Sequence, residues 1–215
     1  MTGHSSDPAL LSLHAVRLAG MAATDAVADR FALRRAEAEE LLLDFQAFGW
    51  LTWVDFAGTN GWTLTAAGRA ENDRRLAREL DETGSAAAVR GVYERFLPHN
   101  AHLQKACTDW QLRPTPADPL SVNDHLDPIW DRPVLDALDV LDAVLVRLVA
   151  DLTTALDRFA GYDERFDRAL GRALAGDPAW VTGVGIDSCH TVWMELHEDL
   201  LATLGIARGA EPLLG

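Results

Sequence analysis

A chain of 215 residues, 48% hydrophobic and 24% charged, is ordinary globular material, long enough for one large domain or two small ones. Its two cysteines, Cys107 and Cys189, are too few for a disulfide framework and lack metal-ligand spacing, so a reducing cytoplasm is the expected setting. The formal charge of −14 is shared by both halves of the chain, and neither carries the positive footprint of a strong nucleic-acid binder.

After a short polar lead over residues 1–8, a first helix is predicted from Ala9 to Ala19. His14 and Arg17 interrupt its apolar run and no basic leader precedes it, so it reads as an amphipathic helix and not as a signal peptide or membrane span. Thr24 is placed to cap a second helix running to Phe31, with Asp25 near its positive terminus. A tight turn at Ala32-Leu33 leads to a third helix over 34–48, which stacks Ala38, Leu41 or Leu42, Phe45 and Phe48 on one side and ends at Gly49. Two strand-like runs follow, Leu51–Phe56 and Gly61–Leu64, joined by the tip Ala57–Gly61, where Asn60-Gly61 is the expected turn dipeptide. Thr65 suits the N-cap of a helix from Ala66 to about Glu82 that ends at Gly84. The boundary is placed at Gly84-Ser85, dividing the chain into 1–84 and 85–215.

This order of elements, with the Leu64-Thr65-Ala66-Ala67-Gly68-Arg69 run after the hairpin, resembles the winged helix-turn-helix domain of MarR-like bacterial transcription regulators. The resemblance implies a mainly α fold: an N-terminal winged helix-turn-helix with a small β-hairpin wing, followed by a C-terminal α-helical bundle. It also implies a regulator that binds a double-stranded DNA operator as a homodimer, each third helix entering a major groove. Arg34 and Arg35 stand where base or phosphate contacts begin, and Arg30 and Arg69 are expected to add backbone contacts. Glu37, Glu39, Glu40 and Asp44 lie on the same helix, and the wing tip offers no cation. The alternative expectation is therefore a winged-helix protein-interaction module without DNA binding.

The second half reads as wholly helical. One helix covers 86–97, Pro98 breaks or restarts it into 99–111, and Pro114, Pro116 and Pro119 make a stiff, extended loop. A polar stretch over 121–131 follows, and Pro133 suits the first turn of a long helix reaching Phe159. Val134, Leu138, Leu141, Leu145, Leu148 and Leu152 recur along it at spacings of four and three, a seam read as bundle core ahead of a dimer contact. Two more helices are expected, about Tyr162–Ala175 and Asp187–Gly205. This region resembles the helical domain of uncharacterised actinobacterial regulator-like proteins, and its expected role is dimerisation or sensing of a small-molecule effector.

On the last helix Cys189, Val192, Trp193, Leu196, Leu200 and Leu204 form an apolar stripe, while Asp187, His190, Met194, His197 and Glu198 gather on a different side. Three readings are open for that polar side: a layer between bundle helices, a small-ligand pocket or a metal site. The metal reading is the weakest, because helical ligand pairs sit three or four residues apart and these histidines do not. The ligand reading places His190, Met194 and His197 around one cavity with His125, Asp127 and Trp130. Both cysteines are read as buried, inert thiols. No nucleophile elbow, phosphate-cradling loop or dinucleotide fingerprint is present, so neither enzymatic activity nor a cofactor is expected.

Overall fold

The computed structural model describes residues 3–56 and 58–207, so Ala57 at the expected hairpin tip lies outside it. The chain divides into two units. Among the described residues, the first comprises those up to Ala87 together with Ala155–Arg158 and residues 198–207; the second comprises Ala88–Thr154 and Phe159–His197.

In the first unit, α1 (Pro8–Ala19) starts at Asp7, whose carboxylate accepts from the Ala9 and Leu10 amides, and stops at Gly20 with φ 73°. α2 (Thr24–Arg30) has Ala23 at its N-cap without a side-chain bond. The Thr24 hydroxyl, expected to cap that helix, instead accepts from the Trp62 indole N–H at 3.1 Å. Ala32 makes the turn with φ 52°, and α3 (Arg35–Ala47) follows, burying Ala38, Leu42 and Phe45. Gly49, at φ 74°, carries the chain out of α3.

The hairpin differs from expectation. β1 (Leu51–Phe56) and β2 (Thr59–Leu64) are antiparallel, with Trp53 opposite Trp62, Val54 opposite Gly61 and Asp55 opposite Asn60. Asn60 and Gly61 are thus paired strand residues, and the ladder continues beyond them to Phe56 opposite Thr59. Gly61 serves a close approach: a Cβ there would stand 2.9 Å from Met21 Cγ and 3.0 Å from the Ala22 backbone. Ala22 uses this access to exchange two backbone hydrogen bonds with Trp62, at 3.1 and 2.8 Å.

α4 (Ala66–Thr83) begins as its sequence dictates, the Thr65 hydroxyl accepting from the Gly68 amide at 3.0 Å, and ends on Gly84 in the left-handed region. Leu13, Val16, Val27, Ala38, Leu42, Phe45, Leu51 and Trp62 form the core of this unit. A smaller cluster joins Leu10 and Leu76 to Ala202 of the C-terminal helix. The end of the C-terminal helix therefore packs on the N-terminal elements.

The second unit is helical. α5 (Ala86–Gln111) runs unbroken through Pro98. The proline removes the N–H that would bond the Glu94 carbonyl, and both residues lie on the exposed side, where a carbonyl without an intrahelical partner is least costly. The proline-rich segment after it is folded back rather than extended: Arg113 N–H donates to Ser121 O at 2.8 Å and Asn123 N–H to Gln111 O at 2.9 Å. α6 (Pro128–Ala155) starts five residues before Pro133, capped by Asp127, whose carboxylate accepts from the Ile129 amide at 2.9 Å. Its Val134, Leu138, Leu141, Leu145, Leu148 and Leu152 are buried, as bundle core requires. α7 (Tyr162–Leu174), the short α8 (Ala179–Thr182) and α9 (Cys189–Leu204) complete the element order. Phe96 and Trp193 stack at 4.8 Å, with Phe166 at 6.1 Å from the same indole.

Candidate functional site

The N-terminal edge of α3 is open. The Arg34 and Arg35 side chains are 80% and 64% exposed, and each faces carboxylates: Arg34 lies 3.1 Å from Glu37, while Arg35 bonds Asp25 and lies 3.6 Å from Glu39. Arg30 is turned inward. Its guanidinium covers the Phe31 ring at 4.6 Å and one terminal nitrogen is buried. Arg69 stands 3.6 Å from Glu198, whose carboxylate also accepts from Arg17 at 3.0 Å. Farther along α3 the exposed residues are Glu39, Glu40, Leu43, Asp44, Gln46 and Ala47, followed by Phe48. Two cations therefore lead a helix whose remaining open face is acidic and partly apolar.

Beneath α1 and α4 lies a buried polar network that no local pattern announces. Arg158 donates to Glu79 at 2.9 Å, to Asp199 at 2.6 Å and to the Thr203 hydroxyl at 2.7 Å. His14 Nε2 donates to Asp199 at 2.9 Å, and its Nδ1 stands 3.3 Å from Asn72 Oδ1, which also accepts from Arg17. The side chains of His14, Arg158 and Asp199 are wholly buried. Burial alone drives the Asp199 carboxyl upward, but Arg158 and His14 outweigh it and hold the group well below the usual carboxylate range. Burial likewise disfavours the Arg158 charge, and Asp199 and Glu79 reverse that effect. The network fastens the chain segments around residues 158 and 199 to the N-terminal helices.

In the second unit the six residues expected around one cavity are dispersed. His125 sits 4.3 Å from the Trp110 ring and 3.1 Å from Asp131, within a cluster centred on Asn123, whose amide donates to Trp110 O at 3.0 Å and Asp131 at 2.7 Å. Asp127 caps α6 and pairs with Arg113. Trp130 donates to Asp109 O at 2.9 Å. On α9, His190 is exposed and Met194 half-buried, whereas His197 is buried against Phe96 and 3.4 Å from the Asn100 amide. Asn100 accepts from Trp193 at 2.7 Å, so one amide orders both rings. Asp187, which precedes α9 instead of opening it as expected, and Glu195 on α9 each form paired bonds with Arg165 at 2.6–3.0 Å. Arg165 is the missed partner; its spacing from α9 leaves no local signal.

Two cavities flank this region. One, of about 620 Å³, is lined by α5 and α6 residues including His102, Lys105, Trp130 and Val140. The other, of about 390 Å³, is bordered by Trp110, Asn123, His125 and Gly183. His190 and His197 line neither.

Cys107 and Cys189 are both buried. Burial pushes the thiols up to about 11 and about 12 respectively. A chromogenic disulfide reagent at neutral pH is expected to label neither in the native protein and both after denaturation; stoichiometric native labelling would contradict this.

Among the described residues no helix is long and apolar enough to cross a membrane, and no three His, Cys, Asp or Glu side chains are grouped to hold a metal ion. Comparison with known proteins matched the chain to no protein family, no curated protein and no solved structure.

Proposed function

We propose that the first unit is a winged helix-turn-helix that binds double-stranded DNA, within a dimeric cytoplasmic transcription regulator whose helical second unit supplies dimerisation or effector sensing. The observation carrying this reading is the exposed pair Arg34 and Arg35 at the start of α3, on a helix–turn–helix followed directly by a hairpin. The start of a helix adds its own positive potential to theirs. Their partners Asp25 and Glu39 are exposed and Glu37 is half-buried, so water screens these pairs and phosphate oxygens can take their place. Ala22, pairing with Trp62, steadies the hairpin beside the α1–α2 connection.

A second reading rests on the rest of α3. Glu39, Glu40 and Asp44 repel phosphates, and exposed Leu43 and Phe48 suit an apolar partner. On that reading the unit holds a protein segment bearing basic and apolar residues.

The test is binding to duplex DNA from upstream of the protein's own gene, followed across a salt series. Arg34→Ala/Arg35→Ala is expected to weaken binding by at least about tenfold and to flatten the salt slope by about 0.9 for each phosphate no longer neutralised. Binding that ignores sequence and is unchanged in the double variant favours the protein-interaction reading.

A further inference from the structure

We propose that the cavity of about 620 Å³ between α5 and α6 is a binding site for an amphipathic monocarboxylate with an aliphatic body. Its volume lies within the range of small-molecule pockets, roughly 300–1,000 Å³. The two walls differ in chemistry. α6 contributes Ile129, Pro133, Val134, Ala137, Val140 and Leu141, all apolar, above the fixed indole of Trp130. Ile129 is 84% exposed and Val140 64% exposed, so large apolar surface beside a ready-made concavity is left in water.

α5 contributes the polar wall: His99, His102, Lys105 and Asp109. Lys105 is the single lysine of the chain. In a protein of net charge −14 the wall therefore concentrates two imidazoles and one ammonium against one carboxylate, Asp109, which Lys105 already engages. The His99 and His102 rings lie 5.9 Å apart. Burial, and then the neighbouring His102, disfavour charge on His99, a pairing that an anion beside both rings relieves.

The wall has no guanidinium fork, so it suits a single carboxylate better than a phosphate. The aliphatic side chains opposite suit an alkyl body. If the regulatory reading above holds, this is where its effector sits. Binding here is tested without DNA, so the two proposals can fail separately.

The experiment is isothermal titration of the full chain with decanoate, decanol and decyltrimethylammonium, each below its aggregation concentration. Decanoate is expected to bind one per chain, at least about tenfold more tightly than either of the others. His102→Gln/Lys105→Gln is expected to reduce decanoate to the level of decanol. Val140→Trp, filling the cavity from an exposed position, is expected to abolish binding while circular dichroism and Tm stay at wild-type values. Equal binding of all three probes, or a double variant indistinguishable from wild type, would overturn the proposal. So would failure of decanoate to bind together with a sedimentation mass that doubles with concentration and reverts in Val140→Glu. That last outcome would make this face a contact between copies of the chain.

Discussion

Gly68→Ala is expected to unfold the first unit, costing more than about 4 kcal/mol. A Cβ at this position would overlap the Trp50 carbonyl oxygen, with the Trp50 carbonyl carbon at 2.8 Å and Leu64 Cδ2 at 3.0 Å. The obstacle is backbone, so no rotamer change relieves it. That carbonyl also accepts from the Thr65 amide at 3.0 Å and the Thr65 hydroxyl at 3.2 Å, so moving it breaks the start of α4 as well. Gly91→Ala is the control. A Cβ there meets nothing within 4 Å, on the exposed side of α5, and the change is expected to stabilise by about 0.5–1 kcal/mol. Urea unfolding of the two variants beside wild type checks both signs; a Gly68→Ala protein with wild-type stability would refute the packing described for α4.

Arg158→Met is expected to destabilise by about 3–5 kcal/mol at pH 7, because Glu79 and Asp199 become buried carboxylates without their shared cation. Its pH dependence distinguishes this cause from simple loss of packing. In wild type the Asp199 carboxyl is depressed, so its stabilisation is complete above the unfolded value of about 3.9 and is withdrawn as pH falls toward the native value. In the variant, Asp199 loses Arg158, the largest of the groups that hold its carboxyl down, while its burial remains, so its carboxyl rises and acid relieves the penalty by protonating it. The stability gap between the two proteins must therefore narrow as pH falls from 7 to 4, measured by urea unfolding at each pH. A gap constant across that range would mean the ion pairs contribute nothing beyond volume.

Both predictions rest on features of very different visibility in the sequence. Elements written by local chemistry are readable: Thr65 and Gly84 bracket α4, Gly49 ends α3, and the leucine spacing of α6 marks its buried face. Local rules fail where tertiary contact uses the same residue otherwise. Asn60-Gly61 is a good turn dipeptide, but Gly61 is needed opposite Val54, where Met21 and Ala22 close over it. Pro98 reads as a helix breaker, but α5 continues through it with Glu94 and Pro98 on its exposed side, and that exposure is not written at residue 98. The polar residues of the last helix stand out in an otherwise Leu/Ala-rich region, yet their partners are not legible there. Asp187 and Glu195 meet Arg165, and His197 meets Asn100. Asp199 meets His14 across a sequence separation of 185, a distance over which periodicity carries no information. The cavity beside Lys105 is hidden for a related reason. Its apolar wall reads as ordinary helix pattern until α5 lies beside it.

The most direct test of the DNA-binding proposal is selection by the full-length protein from a random duplex pool at physiological salt. The expected result is enrichment of a two-fold-related motif, with half-sites about one helical turn apart, that Arg34→Ala/Arg35→Ala fails to recover. A pool that emerges unenriched after repeated rounds, with wild type and the double variant retaining equal amounts of duplex, would contradict it.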